Sequence, residues 1–61
     1  MDLVIFTKKA GGFNQISIDE FNNIPSAKRI EMIFNKELKF LNTAGDKVST
    51  KEALKIIRDH N

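Results

Sequence analysis

Leu3-Val4-Ile5-Phe6-Thr7-Lys8-Lys9-Ala10-Gly11-Gly12-Phe13-Asn14-Gln15-Ile16 decides the fold of this chain. The first half is a continuous apolar run ending in Thr7-Lys8-Lys9, too short for a typical helix, so Leu3 to Lys9 reads as a strand. Ala10-Gly11-Gly12 supplies the positive-φ freedom that a tight reversal needs. From Phe13 to Ile18 the sequence alternates, with Ile16 and Ile18 on one face, which predicts a second strand and a β-hairpin.

Working outward, Ser17 followed by Glu20 is a capping-box pattern, and Ile16 and Phe21 fall at the staple positions around it. A short helix from Ile18 to about Asn23 is expected. Pro25 disfavours helical backbone at Ile24 and suits a first turn, so a separate helix follows over roughly Ser26 to Asn35. Ala27, Ile30, Ile33 and Phe34 recur at helical spacing and are expected to pack on the sheet. Leu38 to Leu41 reads as a third strand and Asn42 to Asp46 as a turn, after which Lys47-Val48 pairs briefly with that strand. A second box, Ser49 with Glu52, opens a final helix whose buried arc is Ala53, Leu54, Ile56 and Ile57. Glu52/Lys55 and Lys55/Asp59 are spaced for surface ion pairs.

The resulting fold class is α+β: one domain over residues 1–61, with order β-β-α-α-β-α and a small, mainly antiparallel three-stranded sheet carrying helices on one face. The expected core is Phe6, Ile16, Ile18, Phe21, Ile30, Ile33, Phe34, Phe40, Leu54 and Ile57. On that reading, truncating Phe34 costs about 2–5 kcal/mol.

Length and composition bound the function. A chain of 61 residues buries only about 60% of the surface that its unfolded form exposes, so stability is marginal. Cysteine is absent, so no disulfide supports the core, and the expectation is a cytoplasmic protein. The opening Met1 to Phe6 lacks a basic segment and is too short for a leader or a span, so no membrane partner is expected. Abundant Ile, Lys and Asn, which AT-rich codons favour, point to a low-GC bacterium or its phage.

No catalytic set emerges. His60 is the sole imidazole and sits beside the C-terminus, where ends fray and near-attack geometry is not held. Asp19-Glu20 has a structural explanation in the first helical turn. Ala10-Gly11-Gly12 leads into a strand, whereas a phosphate cradle opens a helix. Neither an enzyme, a metal site nor a cofactor is expected.

The solvent side of the second helix is more informative. Arg29, Met32 and Lys36 form a stripe opposite the apolar face, with Lys28 on its flank, and an exposed Met ringed by basic residues suits an anchor for a protein partner. The reading from sequence is therefore a small regulatory or inhibitory protein that acts by binding another protein. The alternative is a basic nucleic-acid-binding module using Lys8, Lys9, Lys28, Arg29, Lys36 and Lys39. Net charge is only +2 amid mixed signs, so that alternative requires the fold to gather these residues on one side.

Overall fold

The structure, a computed structural model, describes residues 3–60. Met1 and Asp2 of the N-terminal reading, and Asn61, lie outside the described residues. Strands β1 (Val4–Lys9) and β2 (Gly12–Ile16), helices α1 (Ile18–Asn22) and α2 (Ser26–Phe34), strand β3 (Leu38–Leu41) and helix α3 (Thr50–Asp59) follow in the expected order. The sheet is antiparallel with order β2-β1-β3. Ala10 and Gly11 form the reversal between the paired Lys9 and Gly12, and Gly11 at φ 92° takes the left-handed place that an L side chain resists.

Register divides the sheet into two faces. Ile5 stands between Ile16 and Phe40, and these three point to one side, whereas Phe6 stands between Gln15 and Lys39 on the other. Ile5, Phe21, Phe40, Ala53 and Ile57 form the buried cluster, with Ile16, Ile18, Leu38 and Val48 packed around it. Phe21 of α1 meets Phe40 of β3 edge-on, with ring centroids 6.1 Å apart and planes at 78°. Thus α1 and α3 cover the Ile5 face, while Phe6 stays half-buried on the opposite face.

Local chemistry explains the helix starts. The Ser17 hydroxyl accepts from the Glu20 N–H at 3.0 Å, and the Ser17 N–H donates to Glu20 Oε1 at 3.1 Å, so the first capping box is complete. At Ser49 only one half is present, the hydroxyl accepting from the Glu52 N–H at 3.2 Å. The ion pairs expected along α3 are replaced by Arg58–Asp59, while Lys28–Glu31 closes on α2.

The second helix corrects the sequence reading. Met32, expected in solvent, is buried at 7% exposure, whereas Ile30 and Phe34, expected in the core, are 68% and 85% exposed. Leu54 is likewise outside, at 39%; it lies about 100° around α3 from Ala53, at the margin of the buried arc. Met32 lies beside Thr7 and Ile16 on the inner face of the sheet and beside Ile24 after α1, so α2 meets the sheet by its Met32 side and leaves Ile30 and Phe34, on the opposite side of the helix, in water.

The chain leaves α2 through Lys36, which holds φ 58°. Its N–H bonds to the Ile33 carbonyl at 3.1 Å and the Glu37 N–H bonds to the Met32 carbonyl at 2.8 Å, the Schellman pattern that ordinarily carries Gly at this position. The Glu37 carbonyl then accepts from the Lys8 N–H at 2.8 Å, which starts the β1–β3 ladder. Left-handed backbone at an L residue costs about 1–2 kcal/mol, and glycine adds unfolded-chain entropy worth about 0.4–1 kcal/mol. Lys36→Gly should therefore stabilise the domain by roughly 0.5–1 kcal/mol, read as a higher urea midpoint at unchanged slope. Phe21→Ala, by contrast, should cost about 3–5 kcal/mol.

Candidate functional site

The site is built on α2, whose nine residues begin after Pro25 and end at the Lys36 turn. Residues three and four apart share a helical face, so Ala27, Ile30 and Phe34 make one stripe and Met32, Arg29 and Ile33 another. The second faces inward. Arg29 is half-buried, its guanidinium 5.5 Å from the centre of the Phe21 ring and its Nη2 donating to Ser26 Oγ at 3.1 Å. The first stripe faces water, with the Lys28–Glu31 pair at 3.8 Å on its flank. Leaving a large apolar side chain in water forgoes about 1.5–3 kcal/mol of burial. Ile30 and Phe34, one helical turn apart, stand side by side on that stripe.

Ile33 links this stripe to a groove of about 410 Å³ beside β3, whose walls include Lys36, Leu38, Lys47 and Val48. Alternation along β3 exposes part of its backbone here. The Phe40 carbonyl points away from β1, because it accepts from the Val48 N–H at 2.9 Å, so the N–H and carbonyl of Leu38, two residues earlier, point the same way. Asn42 holds the far wall: its Oδ1 accepts from the N–H groups of Ala44 and Asp46, both at 2.9 Å, bringing Lys47 opposite Leu41. No carboxylate lines the groove, and among the described residues neither Lys36 nor Lys47 forms an ion pair.

The residues singled out from sequence are thereby redistributed. Of the proposed stripe, Met32 is in the interior, Arg29 covers Phe21, Lys28 is paired with Glu31, and Lys36 alone lines the groove. The six basic residues of the nucleic-acid reading fall into separate places. Lys8, Lys9 and Lys28 border a depression that also holds Glu20 and Glu37. Lys36 and Lys39 border the β3 groove, and the Lys39 ammonium lies 4.3 Å from the centre of the Phe13 ring, across the outer sheet face. Sequence reasoning placed Ile30 and Phe34 in the core and thus missed them as surface residues. The available signal was Met32, an apolar residue opposite an apolar stripe, which gives α2 two candidate inner faces.

Among the described residues, no helix is long and apolar enough to cross a membrane. Compared with protein-family models, curated proteins and solved structures, the chain matches none significantly. The site therefore rests on its own geometry, and that geometry has a direct test in thermal and urea melts. Met32→Ala should cost about 2–5 kcal/mol because it empties a buried site, whereas Phe34→Ser should leave stability within about 0.5 kcal/mol of the parent. A large loss from Phe34→Ser would return that ring to the core.

Proposed function

We propose that this chain is a non-catalytic protein-binding module, regulatory or inhibitory in role, and that Ala27, Ile30 and Phe34 on α2 form its contact face. The observation that carries the reading is the exposure of Ile30 and Phe34, 68% and 85%, on one side of a short helix. Interface energy concentrates in a few apolar or aromatic side chains that enter a partner's pocket, and a Phe projecting beyond its own fold has that form. The rigid supports of the stripe lie on its inner side, where Met32 is buried and Arg29 is held over Phe21. The helix therefore presents its outer side chains without having to fold on binding, which limits the entropy lost on association.

The test pairs capture with self-association. Sedimentation at increasing concentration asks whether a second copy covers the stripe, and affinity capture from the source cells identifies other partners. Phe34→Ser and Ile30→Ser should retain parental melts, and each should weaken the captured complex by about 2 kcal/mol or more, roughly thirtyfold. Parental affinity in both variants would remove α2 as the contact face.

A further inference from the structure

We infer that the groove beside β3 receives an extended acidic segment of the partner, with carboxylates held by Lys36 and Lys47 and apolar side chains resting on Ile33 and Val48. This inference rests on the protein-binding reading and names the chemistry of the partner. Three features of the groove converge on that ligand. Lys36 and Lys47 stand on its walls with no carboxylate among the lining residues, so its charge is unbalanced. Its floor is apolar, through Ile33, Leu38 and Val48. The backbone N–H and carbonyl of Leu38 point into the space beside β3, as the Val48–Phe40 bond on the same edge requires. Lys47 and Val48 already pair with Leu41 and Phe40 on this edge, so an extended chain hydrogen-bonds at Leu38 while its alternate side chains reach the walls.

Lys36 supplies an independent argument. It occupies left-handed backbone at φ 58° where glycine would be easier, so the fold keeps an ammonium at the groove at the expense of stability. Ile33 also lies three residues from Ile30 on α2, so the groove runs directly into the exposed stripe, and one partner can occupy both. An acidic peptide with apolar residues matches the whole surface. A phosphate backbone would match the lysines and gain nothing from the floor.

The experiment is fluorescence anisotropy with a short labelled peptide that alternates Glu with Leu. Its counterpart with Gln in place of Glu and a single-stranded oligonucleotide of equal formal charge serve as comparisons. The parent should bind the Glu peptide about tenfold more tightly than the Gln peptide, and the preference should shrink as salt rises. Lys36→Gly and Lys47→Gln should each weaken Glu-peptide binding about three- to fivefold. Because Lys36→Gly should melt above the parent, its loss of binding has no origin in unfolding. Equal binding of the Glu and Gln peptides, or parental affinity in both lysine variants, overturns the inference. Tighter binding of the oligonucleotide than of the Glu peptide also overturns it and assigns the groove to nucleic acid. Should groove selectivity fail while Phe34→Ser still abolishes partner capture, only this inference falls. Should capture survive Phe34→Ser with groove selectivity intact, the contact face on α2 falls instead.

Discussion

Everything in this fold depends on Ile5. It is the second residue of the central strand, fully buried, with Ile16 and Phe40 as its neighbours across the ladders. Above it lie Phe21, Ala53 and Ile57, and the edge-on contact of Phe21 with Phe40 ties α1 to the far strand. A sheet of three strands offers one small apolar field, and the field is filled by one short helix and one face of α3. Dispersion and burial concentrated on so few side chains leave little redundancy, which is the general condition of a chain of 61 residues.

α2 meets the sheet by one side only, with Met32 beside Thr7 and Ile16 and Arg29 drawn across Phe21. Its stronger apolar stripe remains in water. Isolated exposed apolar residues are common, but Ile30 and Phe34 adjoin one another and continue through Ile33 into the groove beside β3. The same packing that completes the core therefore creates the candidate interface, and stability and binding draw on different faces of one helix.

The turns place the charges around that surface. The left-handed Lys36 ends α2 and delivers Glu37 to the first rung of the β1–β3 ladder. The Asn42 side chain closes the loop that sets Lys47 against Leu41. Helical spacing singled out Lys36 but not Lys47, and each owes its position to hydrogen bonds in a turn. Lys39, close by in sequence, is instead spent on the outer sheet face against Phe13.

Much of this architecture was legible in the residues alone. Gly11 marked the hairpin, Ser17 and Ser49 marked helix starts, and Pro25 separated α1 from α2, because each acts through neighbours a few positions away. The alternation around Ile16 and the recurrence at Ala53 and Ile57 also carried through to the core. What the linear pattern did not determine was which side of α2 would be buried, since Ala27, Ile30, Ile33 and Phe34 outweigh Met32 on any helical wheel. Periodicity reports that a helix has an apolar face; it carries no information on which side meets the sheet. Tertiary structure decided that, by setting Met32 beside Thr7 and Ile16 and leaving Phe34 in solvent.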